Sequence, residues 1–456
     1  MSGHEQLIDQ LHMEPLRPKR YSTSRIAGTV LSLITASATL TGCNFVGVFP
    51  KYTPSASAKQ SKESSPQKST LTPTAPDSSE APDQTDPNQQ KCLELADDTE
   101  RLKNLKQTLS TYAIRNFVTD RQTPGGVILV GCGTEALATT TFGKETYSGS
   151  ENVTIHTKYD ISSLTKPFTA LGISQLAEGG TLELNQPVGT VLPEYTKGAK
   201  ASITYRDLLQ HKAGIIDGSY REIRNGSSNP DTIKQNIVNW PVTRAKKGTY
   251  EYSNVGFSVA GIAASKQSSK PLTQTIKEGI FAPIGMTETT YMPTEGCAPT
   301  TSDYDSITYD CVLQDRLGRP MQGETYHTGI FTTGQDMTLF MQELARIQSG
   351  SSSIISKAVF ESMIERSSDG YGTGFRINNK KVKTVSLLSE KMSDRAFGHT
   401  GWNGTMITYD PATSLWTVFL SNATYQQNKN PMEKRLDKFS DLRRGINDIA
   451  VETWEA

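Results

Sequence analysis

Apolar residues recur at helical spacing in the stretch that follows position 100. Side chains three and four positions apart share one face of a helix. Six residues keep that period: Leu102, Leu105, Leu109, Tyr112, Ala113 and Phe117. Pro124 and two glycines then break the pattern, and the continuous apolar run 127–130 predicts a strand. A turn over 131–135 and a second extended segment, 136–142, complete a predicted β-hairpin.

The rest of the chain alternates between extended and helical patterns. A third extended segment, 153–161, leads into an amphipathic helix that begins near Ser163. Later patterns are helical at 203–211, 255–264 and up to 286, extended at 372–377, 384–388, 397–408 and 415–421, and helical again at 431–454. Strands from both ends of the chain with helices between them predict an α+β fold. We expect an antiparallel sheet flanked by N- and C-terminal helices, with a sheet lobe over about 95–160 and 290–456 and a helical lobe over about 163–289.

The N-terminal region contains a short run of small and apolar residues, Ile26 to Leu40, that is too short and too rich in Ser and Thr for a comfortable membrane span. Leu40-Thr41-Gly42-Cys43 follows. This arrangement resembles a bacterial lipoprotein signal, in which residues 1–42 are removed and Cys43 is lipidated. An ordinary signal peptide and an uncleaved anchor are the alternatives, and all three predict that the remainder is exported.

A lipidated Cys43 would anchor the protein to a membrane of the bacterial cell envelope. Asn44, in place of aspartate, would indicate the outer membrane, facing the periplasm, in a Gram-negative cell. The polar leader before the apolar run is long for such a signal, which leaves the true start codon open. Residues 43–94 are dominated by Ser, Pro, Thr, Lys, Gln and Asp, a composition that predicts a disordered tether before a folded domain at 95–456.

Charge and histidine spacing exclude several classes of function. The 47 basic and 47 acidic side chains balance, and no cluster of Lys and Arg with interleaved aromatics indicates a nucleic-acid surface. The six histidines show no zinc-like spacing with Cys or Glu. We therefore expect no nucleic-acid partner, no metal and no cofactor.

The cysteines offer a disulfide framework if the protein is exported. Apart from Cys43, the chain has an even set of four cysteines. In an exported protein, Cys297 and Cys311 would close a short loop, and Cys92 and Cys132 would join the start of the domain to an early strand. Four buried free thiols are the alternative, and the pairing is a hypothesis at this stage.

Ser163 and Lys166 form a Ser-x-x-Lys pattern at the start of the predicted helix. One helical turn places the hydroxyl and the amine on the same face. A serine hydroxyl needs a neighbouring base to act as a nucleophile, and a lysine among apolar residues loses affinity for its proton. Taken alone the pattern is weak, because Ser65 and Lys68 repeat it in the polar tether and because serine is also favoured as a helix N-cap.

Two further motifs follow in order. Tyr252-Ser253-Asn254 precedes an apolar helix, and His399-Thr400-Gly401 lies in a strand-like run. From about residue 98 onward, the chain with these three motifs in order resembles the serine β-lactamase and penicillin-binding protein superfamily. The resemblance is to the branch of class C β-lactamases, DD-carboxypeptidases, D-aminopeptidases and related esterases. The segments 203–209, 371–375 and 397–405 resemble the same family.

The resemblance implies a role for each motif residue. Ser163 would attack a carbonyl, and Lys166 would keep its hydroxyl activated. Tyr252, with a pKa lowered by nearby cations, would carry the proton to the leaving amine. Asn254 would bond the substrate amide or Lys166. Whether Lys166 or Tyr252 is the acylation base remains open.

The third motif has two candidates, because His327-Thr328-Gly329 repeats the pattern. The first copy precedes a predicted helix, and it resembles the loop that lies before the corresponding helix in the family. We therefore assign the active-site motif to the second copy, at 399–401. The resemblance then implies that Thr400 bonds a substrate carboxylate, that Gly401 lets the substrate lie against the strand, and that the backbone N–H groups of Ser163 and Trp402 form the oxyanion hole.

His399 stands where many β-lactamases carry lysine. A histidine that is only partly cationic near neutral pH would bind a carboxylate weakly. DD-peptidases and D-aminopeptidases of this branch often carry His-Thr-Gly at this place, so the resemblance favours a cell-envelope DD-carboxypeptidase acting on peptidoglycan-like peptides through an acyl-enzyme on Ser163. The alternatives are a β-lactamase or small-ester hydrolase of the same fold, and, in another class, an inactive lipid-anchored scaffold or binding protein.

Overall fold

A six-stranded antiparallel sheet lies at the centre of the fold. The structure is a computed structural model, and it describes residues 87–243, 246–302, 306–367, 369–378, 388–426 and 432–456. The strands are β1 (Gly125–Cys132), β2 (Glu135–Gly143), β3 (Tyr159–Asp160), β4 (Thr300–Thr301), β5 (Thr308–Tyr309), β6 (Phe331–Thr332), β7 (Arg376–Ile377), β8 (Phe397–Thr400), β9 (Met406–Asp410) and β10 (Leu415–Ser421). The sheet order is β2-β1-β10-β9-β8-β7, so the N-terminal hairpin pairs with the C-terminal strands. This confirms the α+β fold with an antiparallel sheet. The predicted signal peptide, Cys43 and most of the predicted tether lie outside the described residues.

Strand β1 is buried along its whole length because both faces of the sheet are covered. Val127 and Leu129 belong to a core shared with the central helices, whereas Ile128 and Val130 belong to a second core under the terminal helices. Alternate side chains of a strand point to opposite faces, so a strand covered on both sides reads as a continuous apolar run. That explains the unbroken pattern at 127–130.

Within the residues that the structure describes, twelve α-helices cover the sheet and build the middle of the chain. They are α1 (Pro87–Asp97), α2 (Thr99–Ala113), α3 (Thr165–Glu178), α4 (Tyr205–Leu209), α5 (Tyr220–Arg224), α6 (Pro230–Asn239), α7 (Asn254–Ser268), α8 (Leu272–Ile276), α9 (Ala282–Ile284), α10 (Gly334–Ser349), α11 (Lys357–Met363) and α12 (Leu436–Glu455). In the part of the chain that the structure describes, no helix combines the length and apolar character that a membrane span requires.

The first and last helices of the domain meet on one face of the sheet. Helix α2 contacts β2, α12 contacts β10, and the two helices contact each other. Phe117, in the helical turn that follows α2, places its ring centroid 4.6 Å from that of Phe419 and 5.8 Å from that of Phe439. Two segments more than 300 residues apart are joined through this aromatic cluster.

Two expectations about the strands need correction. The segment 153–161 contributes only β3, which pairs with β6 outside the main sheet. The pattern at 397–408 is two strands, β8 and β9, joined by the turn that contains Gly401. Helix α1 begins at Pro87, within the range predicted as tether, and Leu388 is the only residue of the predicted strand 384–388 that is described.

Both expected disulfides are present. Cys92 on α1 is bonded to Cys132 at the end of β1, and Cys297 is bonded to Cys311. The first bond attaches α1 to the sheet. The second closes the segment that contains β4 and β5, and Cys297 also bridges to Lys158 immediately before β3.

Candidate active site

The chain turns sharply just before Ser163. Ser162 has a φ of +50°, a backbone conformation that non-glycine residues rarely adopt. Its N–H donates to the carboxylate of Asp160 at 2.9 Å, and the other carboxylate oxygen accepts from the N–H of Gln314 at 3.0 Å. Asp160 is buried, which raises its pKa to about 6 in spite of these N–H donors. This carboxyl group holds the strained turn that presents Ser163.

Ser163 lies in a short 3-10 turn, Ser162–Leu164, that runs into α3. Lys166, one turn later, is fully buried and donates from Nζ to Ser163 Oγ at 2.9 Å. Neither the 3-10 turn nor α3 has a side-chain cap. The hydroxyl of Ser163 is therefore engaged by an amine and does not cap the helix, which removes the simpler interpretation of this serine.

Burial sets the proton affinity of Lys166. It lowers the pKa of the ammonium group to about 7, although the Asp217 and Asp315 carboxylates raise it. Nζ also donates to Asn254 Oδ1 at 2.9 Å and to the main-chain oxygen of His327 at 3.2 Å. The amine is thus held by three oxygens, and its burial favours the neutral form.

The Tyr252-Ser253-Asn254 segment reaches the same place from the start of α7. Asp217, a residue that the sequence did not single out, fixes it: its carboxylate accepts from Ser253 Oγ at 2.5 Å and from the N–H groups of Asn254 and Val255 at 2.6 and 3.2 Å. Burial raises the pKa of Asp217. The aspartate lies at the N-terminal end of a 15-residue helix, where a negative charge is favoured.

Tyr252 hydrogen-bonds to Ser163, and its ring lies 4.9 Å from Lys166 Nζ. The expectation that cations lower its pKa is wrong. Burial raises the pKa of Tyr252 to about 12, and this outweighs the opposing effects of Ser163 and Arg376. The phenol is therefore neutral at pH 7 and is a proton donor.

His399 does not face the site as a cation. Burial, together with the charges of Lys166 and Arg376, holds the pKa of His399 well below its usual value. Its Nε2 lies 2.9 Å from the hydroxyl of Tyr371, and its Nδ1 lies 2.8 Å from the main-chain oxygen of Thr400. Both nitrogens are occupied within the protein, so the prediction that a partly cationic His399 binds a carboxylate is wrong.

A second histidine explains how His399 is held. The N–H of Ser253 donates to His211 Nδ1 at 2.9 Å, so Nε2 of His211 carries the proton and donates to Tyr371 at 3.1 Å. Tyr371 then donates to His399. This buried chain of neutral groups links the Tyr252-Ser253-Asn254 segment to strand β8.

Gly401 has a structural role that the sequence did not predict. A Cβ there would lie 2.1 Å from the main-chain oxygen of Ile161, so the glycine allows the turn after β8 to approach the backbone that precedes Ser163. Asn403 donates to the carbonyl of Asp160 at 2.9 Å, and Thr405 donates to that of Ile161 at 3.1 Å. These bonds bring the turn that contains Trp402 beside the nucleophile segment, with Thr400 half-buried at the end of β8.

His327-Thr328-Gly329 lies in the loop before β6 and α10, as predicted. The sequence did not predict that the main-chain oxygen of His327 would accept a hydrogen bond from Lys166 Nζ. Among the described residues, three potential metal ligands come together at Cys297, Asp310 and Cys311. Both of these cysteines are in a disulfide, so the group does not form a thiolate metal site.

Arg376 is a second charged residue of the site, besides Asp217, that no motif indicated. It lies on β7, opposite Gly398 of β8, and its charge acts on Lys166, Tyr252 and His399. Its Nε is buried and has no hydrogen-bond partner among the residues that the structure describes.

Comparisons with known proteins agree with this geometry. A family model described as Beta-lactamase matches residues 112–440. The chain is 24% identical over 379 residues to an N-acetylmuramyl-L-alanine amidase of Bacillus subtilis, covering 74% of this chain and 84% of that protein. It is 24% identical over 313 residues to a putative D-alanyl-D-alanine carboxypeptidase of Salmonella gallinarum, covering 61% and 72%.

The fold is shared with solved structures as well. A class C β-lactamase of Rhodobacter sphaeroides superposes with a TM-score of 0.57 at 17% identity, covering 76% of this chain and 99% of that one. The chain belongs to the β-lactamase family, in the superfamily of serine β-lactamases and penicillin-binding proteins.

Proposed function

We propose that this protein is a serine hydrolase that forms an acyl-enzyme on Ser163. The observation that carries the proposal is the 2.9 Å contact between Ser163 Oγ and a fully buried lysine amine whose pKa lies near 7. At neutral pH a large fraction of Lys166 is unprotonated and can accept the serine proton as the hydroxyl attacks.

The two candidate bases take different roles in this proposal. Ser163 Oγ bonds to the substrate carbonyl while its proton passes to Lys166, and the N–H groups of Ser163 and Trp402 stabilise the oxyanion. Tyr252, neutral because its pKa is about 12, then gives its proton to the leaving group and is reprotonated from Lys166. Water attacks the ester by the same steps in reverse order, releasing the acid and restoring Ser163.

Arg376 supports a substrate with a free carboxylate. Its partnerless Nε and its closeness to Lys166 and Tyr252 suit an anion bound beside the reacting carbonyl. The terminal carboxylate of a D-alanyl-D-alanine peptide meets this requirement. We infer a DD-carboxypeptidase-like reaction, consistent with the name of the Salmonella relative.

A β-lactamase or small-ester hydrolase would use the same residues, and the fold shared with a class C β-lactamase favours this second candidate. A β-lactam also carries a carboxylate that Arg376 would accept. The two activities differ in deacylation, because a long-lived penicilloyl-enzyme indicates a peptidase and rapid turnover indicates a β-lactamase. Mass spectrometry of the intact protein after addition of penicillin measures this directly.

The nucleophile is tested by labelling with a fluorescent penicillin and a fluorophosphonate. Wild type and Ser174→Ala should be labelled, because Ser174 is a buried serine of the same helix that lies away from Lys166. Ser163→Ala should not be labelled. Equal labelling of Ser163→Ala and wild type would refute the assignment, and a wild type that reacts with neither probe would favour the inactive scaffold.

We further propose that the protein acts in the cell envelope, anchored through Cys43. The disulfides Cys92–Cys132 and Cys297–Cys311 support an oxidising compartment. Metabolic labelling with a fatty-acid analogue should mark the full-length chain and not the Cys43→Ala variant. Equal labelling of both would exclude this anchor.

A further inference from the structure

Arg443 is a buried arginine of α12 that none of the reaction steps above uses. The residue is 4% exposed, and its Nε donates to the main-chain oxygen of Gly404 and its Nη2 to that of Gly401, both at 3.0 Å. In the part of the chain that the structure describes, these bonds go to main-chain oxygens and not to a carboxylate. Because a buried cation is costly unless its donors are used, the two carbonyls decide where the guanidinium lies.

The two oxygens that Arg443 binds lie at the two ends of the turn that follows β8. The N–H of Gly404 donates to the oxygen of Gly401 at 3.1 Å, which closes a four-residue turn, 401–404. The side-chain hydrogen bonds described above tie the same region to the carbonyls of residues 160–161, immediately before the nucleophile. The turn is therefore held by the nucleophile segment on one side and by the arginine of α12 on the other.

The oxygen of Gly401 belongs to the same peptide group as the N–H of Trp402. In a planar trans peptide the C=O and the N–H point in opposite directions. The guanidinium therefore fixes the direction of the Trp402 N–H, which points away from α12. A cation at the oxygen also strengthens the dipole of this peptide, because hydrogen bonds in series polarise one another.

The direction away from α12 leads to the face of the sheet on which Ser163 lies. Val127 of β1 belongs to the core that contains Phe168 of α3. Ile128, the next residue, belongs to the core that contains Phe439 of α12. Since adjacent residues of a strand point to opposite faces, α3 and α12 cover opposite faces of the sheet. A carbonyl that points towards α12 leaves its N–H directed to the side where Ser163 begins the turn into α3.

We propose that Arg443 is a positioning residue of the oxyanion hole, which holds the Gly401–Trp402 peptide so that the Trp402 N–H points at the substrate oxygen. The inference rests on the proposed function, in which this N–H and that of Ser163 stabilise the oxyanion. As the substrate carbonyl carbon becomes tetrahedral its oxygen gains negative charge, and an N–H that is already fixed needs no reorganisation to bind it. Arg443 acts through the peptide and not on the substrate.

The unreacted protein offers a direct measurement of this peptide. Gly401–Trp402 is the only place in the chain where glycine precedes tryptophan. Labelling the full chain with carbon-13 at the glycine carbonyl and nitrogen-15 in tryptophan therefore gives a single carbonyl–amide cross-peak by NMR. Loss of a hydrogen bond to the peptide oxygen should move the carbonyl carbon upfield in Arg443→Met. Arg443→Lys keeps the charge but lacks the two-pronged donor, so its cross-peak should lie between those of wild type and Arg443→Met.

Arg435→Met is the matched control. Arg435 is also buried, and its Nη1 and Nη2 donate to the main-chain oxygens of Gln122 and Ala423 at 2.9 and 2.7 Å. Its removal should lower the free energy of unfolding about as much as removal of Arg443, and should leave the 401–402 cross-peak in place. A role of Arg443 in packing alone would give the same behaviour in both variants.

Penicillin acylation supplies the second measurement. Removing one oxyanion-hole donor costs about 10²–10³ in rate, so misdirecting it in Arg443→Met should lower the acylation rate constant by roughly 10- to 100-fold. The dissociation constant of the noncovalent complex, in which the oxyanion has not formed, should change little. Arg435→Met should be acylated at the rate of wild type.

An unmoved cross-peak in folded Arg443→Met, or an equal shift in Arg435→Met, would overturn the proposal. A shifted cross-peak with an unchanged acylation rate would overturn it as well. Circular dichroism establishes that each variant is folded, and Arg443→Lys tests the same bond if Arg443→Met does not fold. If wild type reacts with neither penicillin nor fluorophosphonate, the proposed function fails, and the cross-peak still decides whether Arg443 orients the peptide.

Discussion

The hydroxyl of Tyr371 lies 2.9 Å from Nε2 of His399, and this contact decides what the histidine of the third motif can do. Tyr371 accepts from His211 and donates to His399, so both imidazoles stay neutral in fixed tautomers. The histidine acts as a support for strand β8, and Arg376, one strand away on β7, carries a positive charge that acts on both Lys166 and His399.

Replacing Tyr371 with phenylalanine should slow acylation. The change leaves two buried ring nitrogens without a hydrogen-bond partner, which lowers the free energy of unfolding by about 1–3 kcal/mol. Part of this loss should weaken the alignment of β8 with Ser163. We expect a roughly tenfold lower rate of penicillin acylation, equivalent to about 1.4 kcal/mol.

Nitrogen-15 NMR of the histidines gives a second measurement on the same variant. In wild type, His211 should carry its proton on Nε2 and His399 on Nδ1, and in Tyr371→Phe this assignment should be lost. Tyr291→Phe is the control, because its buried hydroxyl has no hydrogen-bond partner among the described residues. An unchanged rate and unchanged tautomers in Tyr371→Phe would contradict the chain.

The elements with strong local patterns could be predicted from the sequence. Strands β1, β2 and β10 are continuous or alternating apolar runs, and the sequence predicted the antiparallel sheet that they form. The segment 153–161 is mostly non-strand because its backbone pairs with distant loops: Lys158 with Gly296, and Ile161 with Ile330. Such long-range pairing leaves no periodic signal in the chain.

The motifs predicted that Ser163, Lys166 and Asn254 would lie close together, and Lys166 Nζ does donate to both of the other side chains. The site was not predictable where burial reverses the ordinary behaviour of a group. Tyr252 was expected to have a pKa lowered by nearby cations and His399 to be partly cationic, but desolvation is the largest influence on the pKa of both. Arg376 has no motif, and only the β7–β8 pairing brings it to the site.

Acylation of Ser163 should depend on pH through Lys166. Burial lowers the pKa of this amine to about 7, so the reactive neutral form disappears as the pH falls below 7. The acylation rate should rise about tenfold per pH unit below 7 and level off above it. Stopped-flow labelling between about pH 5 and pH 9 measures the profile on both sides of the midpoint. Lys270→Gln, a surface change, should reproduce it, whereas a midpoint near the usual lysine value would rule out Lys166 as the acceptor.

Arg376 should control binding of the substrate carboxylate. Arg376→Met removes the guanidinium while keeping much of the side-chain volume, and KM for a D-alanyl-D-alanine peptide should rise by roughly 10- to 100-fold, reflecting a charge-assisted bond of about 1.5–3 kcal/mol. Hydrolysis of an uncharged ester should change little. Arg395→Met is the control, because that arginine pairs with Glu361 at the surface. Equal loss on both substrates would argue against carboxylate binding.

Gly401 should tolerate no side chain. In Gly401→Ala the new Cβ would lie 2.1 Å from the carbonyl oxygen of Ile161, so the turn after β8 must move away from Ser163. We expect at least a tenfold loss of acylation, since displacements of this kind at a reacting centre are costly. Gly179→Ala, where the new atom makes only ordinary contacts, should retain full activity. A fully active Gly401→Ala would show that the close approach is unnecessary.

Phe117 should hold the two ends of the domain together. Its ring is fully buried and packs on Phe419 of β10 and Phe439 of α12, so Phe117→Ala removes contacts to both the sheet and the C-terminal helix. Truncating a buried aromatic costs about 3–5 kcal/mol, which denaturant unfolding would record as a lower midpoint. Ile114→Ala, three residues earlier and 43% exposed, should change stability by less than about 1 kcal/mol. Similar losses in the two variants would mean that the aromatic cluster does not join the termini, because the exposed isoleucine makes none of these contacts.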